Sequence, residues 1–203
     1  MLELIIFCAV IALLELDTTY FGQVLVSRPV VVGSLLGFIS GNFFLGLQIG
    51  IFTELIYLDF IPIGGVVPPS GAISAGVAIL MAHCFLMDVY FAFFVGIVTG
   101  IMFSFIEKFL RKYRARLLPI IEKELIDGKI TAATVMKQSL LFQYLAVFSF
   151  LIVAVTVLGP GFNAVSASIP EKLHIAFKFS YFVVPWVGLS VLFISFSSKP
   201  KAD

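Results

Sequence analysis

Two carboxylates, Glu54 and Asp59, lie in or beside a long apolar stretch between residues 28 and 76. A carboxylate at the centre of a bilayer costs roughly 2.5 to 3.5 kcal/mol, so its presence in an apolar helix requires a compensating partner or function. It can accept hydrogen bonds from a polar ligand or neutralise a base. Pro68 and Pro69 interrupt the same stretch. We therefore expect a polar cavity inside an apolar helical protein.

Arg28 is the only basic residue among the first 107. A guanidinium does not lose its proton to escape an apolar environment, so it pairs with an acid or reaches a lipid headgroup. We predict that Arg28 and Asp17 form a structural charge pair. Extension of Arg28 from a helix end to a headgroup remains the alternative.

Two helical segments, residues 30–41 and 72–85, are too short to span a membrane. They would extend about 18 Å and about 21 Å, whereas a bilayer core of about 30 Å needs about 20 residues. Gly41 and Asn42 end the first segment, and a Pro- and Gly-rich stretch at residues 62–69 precedes the second. Half-helices joined by irregular backbone are typical of transporters, in which they line a water-filled cavity.

Glycines recur at every fourth residue of this stretch, as Gly33, Gly37 and Gly41 and again as Gly46 and Gly50. A stripe of small residues lets another helix backbone approach closely. We expect these glycines to pack neighbouring helices together.

The composition indicates a membrane protein. Hydrophobic residues make up 61% of the 203 residues, only 12% are charged, and 23 are phenylalanine. These values exclude a soluble domain. Cys8 and Cys84 both lie in apolar segments, so we predict neither a disulfide framework nor a metal site. P-loop, GxSxG, HExxH and CxxC motifs do not occur, so we assign no catalytic residue and no cofactor.

The predicted fold is an all-α polytopic membrane protein, with transmembrane helices, broken or re-entrant half-helices around a polar cavity, and one cytoplasmic amphipathic helix. Residues 1–203 are predicted to form a single membrane domain. Residues 1–106 contain the N-terminal helices and their breaks, residues 107–129 form the amphipathic connection, and residues 131–198 form two further membrane helices.

Several residues predict where helices begin and end. We expect a break near Asp17, and Asp88 is expected to cap the long apolar helix that follows it. Thr131 is expected to cap a helix that stops at the Gly-Pro-Gly sequence of residues 159–161, with a loop after it. Pro185 is expected to kink the last helix.

The segment 107–129 combines an apolar stripe with a high density of positive charge, and we predict an amphipathic helix lying on the membrane. By the positive-inside rule it faces the cytoplasm. Its role is either topology and lipid anchoring or docking of a soluble partner. Its basic residues are Lys108, Arg111, Lys112, Arg114, Arg116, Lys123 and Lys129.

The stretch that begins at Arg28 carries a resemblance to a known family. It contains the pair RP followed by LxGxxxG, GxxIGxxxEL and IPIGGxVPP. These motifs resemble the integral-membrane IIC subunit of the mannose/fructose/sorbose family in the bacterial phosphoenolpyruvate-dependent phosphotransferase system. The residues that carry the resemblance are Arg28, Pro29, Leu35, Gly37, Gly41, Gly46, Gly50, Glu54, Pro62, Ile63, Gly64, Gly65, Pro68 and Pro69.

The resemblance implies a permease subunit that binds and translocates a hexose-type sugar and is not itself an enzyme. Phosphoryl transfer would be carried out by separate cytoplasmic IIA and IIB subunits. Further implied partners are a IID membrane subunit and the lipid of a bacterial inner membrane, in an oligomeric assembly without nucleic acid. The residues expected to bind substrate are Glu54, Asp17, Gln23, Ser70, Pro69, Gly64 and Gly65.

At two positions the chain departs from the family pattern. Asn42 and Ser70 stand where family members usually carry acidic residues, and the chain ends several tens of residues earlier than those members. We therefore expect a different or weaker sugar preference and a missing final membrane segment. An alternative function is also compatible with these departures. That alternative is a non-transporting membrane partner that recruits or regulates phosphotransferase components.

Overall fold

The computed structural model describes residues 1–18, 22–60, 66–128 and 131–197. Within these ranges the chain forms eight α-helices and no β-strand, which confirms the predicted all-α class. The helices are α1 (Leu2–Glu15), α2 (Pro29–Ile39), α3 (Phe43–Tyr57), α4 (Gly71–Cys84), α5 (Val89–Ile126), α6 (Ala132–Val153), α7 (Gly159–Ser168) and α8 (Glu171–Ser197).

Among the described residues, three helical stretches are long and apolar enough to cross a membrane: α5, residues 132–166 within α6 and α7, and α8. The most apolar windows of the second and third stretches are only 28% and 17% buried within the chain. Their remaining surface is available to lipid or to another membrane protein. Helices α2 and α4 are apolar but shorter, as predicted for half-length segments, and α3 is also too short to be counted as a span.

Helices α2 and α3 pack with their backbones in contact through glycines. A Cβ atom at Gly33 would lie 2.9 Å from the Cα of Gly50, and one at Gly37 would lie 2.8 Å from the Cα of Gly46. Real side chains do not approach a backbone so closely, so this interface requires glycine on both helices. The prediction that these four glycines pack two helices together is confirmed.

Gly41 does not belong to this interface, contrary to the prediction. Its φ is +76°, and no heavy atom lies within 4 Å of the position that a Cβ would take. Instead Gly41 ends α2, where the amide of Asn42 donates to the carbonyl of Gly37 at 2.8 Å. A left-handed residue at this position is a common helix terminator because it satisfies the last free carbonyls.

Helix α4 occupies the centre of the protein. Every residue from Ala72 to Met81 is buried. Its neighbours are α1, α2, α3 and α5, and two glycines of α5 let that helix approach closely. A Cβ at Gly96 would lie 2.8 Å from the Cβ of Ala78, and one at Gly100 would lie 3.1 Å from the Cβ of Ser74. The core is thus formed around a helix too short to cross a membrane by itself.

The basic segment is not a separate helix. Helix α5 continues without interruption from Val89 to Ile126, so the amphipathic residues extend the preceding apolar span, and Lys129 lies outside the described residues. Pro119 is accommodated inside α5. The first break after the span comes only at Asp127 and Gly128, where φ of Gly128 is +68°.

The Gly-Pro-Gly sequence at residues 159–161 does not end the membrane helix as predicted. A π-helical turn, Ala154–Leu158, joins α6 to α7, and helical structure continues to Ser168. Pro160 fits because it lies in the first turn of α7, where its missing N–H is not needed for an intrahelical bond. Thr131 caps α6 as predicted, accepting a 3.4 Å hydrogen bond from the amide of Thr134.

Candidate ligand-binding site

Asp17 organises the loop that precedes α2. Helix α1 ends at Glu15, near the predicted break, and a 3₁₀ turn follows in which Asp17 is buried. The carboxylate of Asp17 accepts hydrogen bonds from the amides of Val24, at 3.0 Å, and Ser27, at 3.3 Å. These bonds hold a loop in which Gln23 is exposed and has a positive φ of 49°. Asp17 therefore fixes the backbone just before Arg28.

Arg28 pairs with Glu54, not with Asp17 as the sequence analysis predicted. Its Nη1 lies 3.2 Å from Oε1 of Glu54, and the other carboxylate oxygen of Glu54 accepts a 3.4 Å hydrogen bond from the amide of Val30. The physical reason is twofold. The carboxylate of Asp17 is used by loop amides, and the glycine interface brings the end of α3 to the start of α2.

Gly50 sets the position of Glu54. A Cβ on Gly50 would lie 2.9 Å from the Cα of Val30, so α3 crosses α2 at its first turn. Glu54 follows Gly50 by four residues and lies on the same face of α3, beside the N-terminus of α2. A carboxylate is favoured there because the first amides of a helix have no intrahelical acceptor.

The Arg28–Glu54 pair faces a cavity of about 380 Å³, which we call the Arg28–Glu54 cavity. The pair remains partly accessible, with 56% of the Arg28 side chain and 29% of the Glu54 side chain exposed. The Pro-Pro pair that precedes α4 also lines this cavity. The complete lining is Arg28, Pro29, Glu54, Tyr57, Leu58, Phe60, Pro68, Pro69 and Gly71.

Tyr57 contributes a hydroxyl group that the sequence analysis did not identify. Its oxygen lies 2.8 Å from Oγ of Ser74 and donates to the carbonyl of Ile97 at 3.3 Å. These contacts attach the end of α3 to α4 and α5. A tyrosine three residues after a membrane carboxylate, on the same helical face, was the available signal.

Ser70 directly follows the Pro-Pro pair. It caps α4 by accepting from the amide of Ile73 at 3.2 Å, and its hydroxyl donates to Oε2 of Glu15 at 2.9 Å. Both residues line a smaller cavity of about 120 Å³, together with Glu107 and Arg111. Pro68, Pro69 and Gly71 line both cavities.

Glu107 is the centre of a polar network between α5 and α6. It is buried, and its Oε1 accepts from Nε of Arg111 at 3.0 Å and from Nη2 of Arg114 at 2.6 Å. Its Oε2 accepts from the buried amide of Gln143 at 2.9 Å. The sequence signal was the acid–base spacing of four residues at the boundary of the apolar span.

The structure therefore brings together only part of the predicted site. Glu54 and Pro69 line one cavity, Ser70 lines its neighbour, and Asp17 holds the loop that precedes Arg28. Gly64 and Gly65 lie outside the described residues. In the described ranges, no group of three or more His, Cys, Asp or Glu side chains is arranged to hold a metal ion.

The Arg28–Glu54 cavity has a chemistry suited to a neutral, polyhydroxylated ligand. The guanidinium donates hydrogen bonds and the carboxylate accepts them, while the hydroxyl of Tyr57, which already donates to Ile97, keeps acceptor capacity. Apolar and proline surfaces form the rest of the wall, and the volume falls within the range of small-molecule sites.

The model of a family described as the sorbose-specific IIC component of the PTS system matches residues 1–200. A search of curated proteins gives no match.

Proposed function

The chain belongs to the sorbose-specific IIC family of the phosphotransferase system, and on this premise we propose that it binds a hexose-type sugar and translocates it across the membrane. Members of this family are sugar-transport permease subunits, and the apolar helices make the chain an integral membrane protein. The proposal assigns sugar binding to the Arg28–Glu54 cavity.

One observation carries this assignment. A guanidinium and a carboxylate meet at a cavity between short helices, at the point where two prolines interrupt the backbone. Transporters place their substrates at such helix breaks, because backbone polar groups are free to face a ligand there. In the proposed role Glu54 accepts hydrogen bonds from sugar hydroxyls, Arg28 donates to sugar oxygens, and Pro69 shapes the opposite wall.

The other residues expected to bind substrate keep more limited roles in this proposal. Ser70 holds the start of α4, and Asp17 holds the loop before Arg28. Gln23, exposed on that loop, is available to contact a sugar as it enters or leaves. Gly64 and Gly65 stay predicted substrate-binding residues and lie outside the described residues.

The proposal includes the partners of a phosphotransferase permease. A IID membrane subunit would cover exposed apolar surface in an oligomeric assembly. IIA and IIB subunits would dock at the cytoplasmic face of the inner membrane, close to the basic half of α5, and phosphorylate the sugar as it arrives. The chain itself would carry no phosphorylated residue.

The test is phosphoenolpyruvate-dependent uptake of radiolabelled sorbose, fructose and mannose by cells that express the full chain with IID, IIA and IIB subunits. Glu54→Gln should insert normally and associate with IID, yet bind sugar about 10- to 150-fold more weakly, because a charge-assisted hydrogen bond contributes roughly 1.5 to 3 kcal/mol. Glu122→Gln, which changes an exposed carboxylate on α5, is the matched control.

Two outcomes would contradict the proposal. Normal sugar binding by Glu54→Gln would make Glu54 structural. Failure of the unmodified chain to transport any of the three sugars, while still binding the other subunits, would favour a non-transporting partner that recruits or regulates them.

A further inference from the structure

A separate cavity lies at the opposite end of α3 from Glu54. It has a volume of about 350 Å³ and is enclosed by the first residues of α3, the start of α5 and the middle of α8. We call it the outer cavity. Its lining residues are Phe44, Leu45, Gln48, Asp88, Val89, Tyr90, Tyr181 and Phe182.

Two buried polar atoms in the wall of the outer cavity have no hydrogen-bond partner among the described residues: Oδ2 of Asp88 and the hydroxyl of Tyr181. Tyr181 is only 2% exposed. A buried polar group without a partner costs about 1 to 3 kcal/mol, and such groups are rare in native proteins. The hydroxyl of Tyr181 can therefore hydrogen-bond to a ligand in this cavity, whereas Oδ2 of Asp88 lies beside Nδ1 of His174.

Asp88 does not perform the capping role that the sequence suggested. It occupies the N-cap position of α5, but its side chain accepts no hydrogen bond from the helix amides. The nearest base is His174, whose Nδ1 lies 3.6 Å from Oδ2, beyond ordinary hydrogen-bonding distance. The side chain of Asp88 is 32% exposed, so its carboxylate keeps acceptor capacity at the cavity beside His174.

The remaining wall combines aromatic rings with one amide. The ring of Tyr90 lies 5.4 Å from that of Tyr181 and 5.9 Å from that of Phe182, measured between centroids, so the rings support one another. Gln48 adds a donor and an acceptor. Flat apolar faces beside a carboxylate, a hydroxyl and an amide fit a sugar ring, whose C–H faces are apolar and whose edge carries hydroxyls.

The outer cavity and the basic half of α5 lie at opposite ends of a membrane span. Asp88 precedes Lys108 by about 30 Å of helix, which is the thickness of a bilayer core. If the basic half is cytoplasmic, as the positive-inside rule predicts, the outer cavity opens on the other side. Gln48 precedes Glu54 by about 9 Å along α3, so the two cavities are distinct but close.

We propose that the outer cavity is a second sugar-binding site, which captures the sugar on the extracytoplasmic side before it reaches the Arg28–Glu54 cavity. This inference rests on the proposed transport function. The outer cavity selects for polyhydroxylated rings through Asp88, Tyr181 and Gln48, and the cavity at Glu54 receives the sugar closer to the phosphorylating subunits.

The test measures sugar protection of a cysteine at the rim of the outer cavity. Phe44 is chosen because it is 79% exposed. Phe44→Cys is introduced into the full chain, in which Cys8→Ala and Cys84→Ala remove the native thiols. A membrane-impermeant maleimide added to intact cells should label this position, and saturating sorbose, fructose or mannose should slow labelling at least threefold. The protection should persist with Glu54→Gln, since that change affects the other cavity.

Two substitutions change the polar atoms without removing bulk. Tyr181→Phe removes a neutral hydrogen-bond partner and should raise the sugar concentration that gives half-protection about fivefold. Asp88→Asn removes a charged hydrogen-bond partner and should raise that concentration at least tenfold. Tyr144→Phe is the matched control, since Tyr144 lies on α6 and lines a different, apolar cavity. Equal elution profiles in size-exclusion chromatography establish that the variants fold.

The outcomes separate this inference from the proposed function. Uptake without sugar protection, or a position 44 that resists external maleimide, overturns the outer site and leaves transport intact. Protection that Tyr181→Phe and Asp88→Asn do not weaken also overturns it. Protection without uptake supports the outer site and instead contradicts translocation.

Discussion

Nη1 of Arg28 lies 3.2 Å from Oε1 of Glu54, which joins the residue that precedes α2 to the last turn of α3. The contact spans 26 residues of sequence, and it depends on the glycines that let α2 and α3 touch. The guanidinium at this cavity is therefore held by a carboxylate that is itself accessible to ligand. The pair therefore links α2 to α3, and in the proposed function it also binds sugar.

Exchanging the two charges separates these roles. We expect Arg28→Glu and Glu54→Arg to lower Tm when made singly, because each places like charges together. The loss should be modest, since the pair is partly exposed and such pairs contribute about 1 kcal/mol or less. The double variant should recover Tm but not sugar uptake, because the carboxylate no longer stands on α3.

The measurements for this exchange are Tm of the purified chain and phosphoenolpyruvate-dependent uptake. Arg116→Glu, on the exposed basic half of α5, controls for a charge reversal in itself. Strictly additive losses of Tm in the double variant would argue against the pair, and recovered uptake would argue that Glu54 acts only in the fold.

At the glycine interface between α2 and α3, one added methyl group should strongly lower the stability of the protein. A Cβ at Gly46 would lie 2.5 Å from the Cα of Gly37, which neither backbone can avoid without moving. Gly46→Ala should therefore destabilise the protein by about 1 to 3 kcal/mol, as overpacking does elsewhere. Retention of a monodisperse peak after graded heating reports this loss.

Gly161→Ala is the control for that prediction. Gly161 lies in α7, and no heavy atom comes within 4 Å of the Cβ position. Alanine should leave stability unchanged or slightly raised, because it favours helix over glycine. Equal sensitivity of the two variants would show that the α2–α3 contact does not limit stability.

The network around Glu107 should be sensitive to loss of either partner. Glu107→Ala removes the carboxylate that accepts from Arg114 and from the buried amide of Gln143, and we expect a loss of roughly 3 to 5 kcal/mol, because several hydrogen bonds to a charged group are lost together. Gln143→Leu removes the donor to Glu107 and the acceptor of Arg114 but keeps the carboxylate, and it should cost less, about 1 to 3 kcal/mol. Denaturation of the detergent-purified chain measures both.

Gln138→Leu provides the matched change on the same helix, because Gln138 is exposed. It should have little effect on stability. If Gln138→Leu and Gln143→Leu proved equally destabilising, the buried hydrogen bond between Gln143 and Glu107 would not account for the loss.

Cysteine accessibility tests the orientation of the chain. In a background with Cys8→Ala and Cys84→Ala, Ala115→Cys should resist a membrane-impermeant maleimide added to intact cells, because the basic half of α5 is expected in the cytoplasm. Asn163→Cys, exposed on α7 at the far end of the α6 stretch, should react. The opposite labelling pattern would invert the topology and place the outer cavity inside.

Local sequence patterns could predict the helices because their causes are local. Apolar runs and their interruptions determine where a helix ends, and glycine spacing of four residues gives a smooth face whatever its partner. The half-length helices and the packing role of Gly33, Gly37, Gly46 and Gly50 followed from this. The end of α6 was wrongly placed because Pro160 is harmless in a first helical turn, which spacing alone does not reveal.

The sequence by itself determined the class of this protein and its family, because the hydrophobic segments and the motifs around Arg28 and Glu54 are each short runs of neighbouring residues. Only the tertiary structure decided which charges meet. Asp17, 11 positions before Arg28, is used by loop amides, whereas Glu54, 26 positions after it, becomes its partner. Which charged side chains come close together depends on how the glycine-faced helices α2 and α3 cross. That crossing depends on residues far apart in the chain.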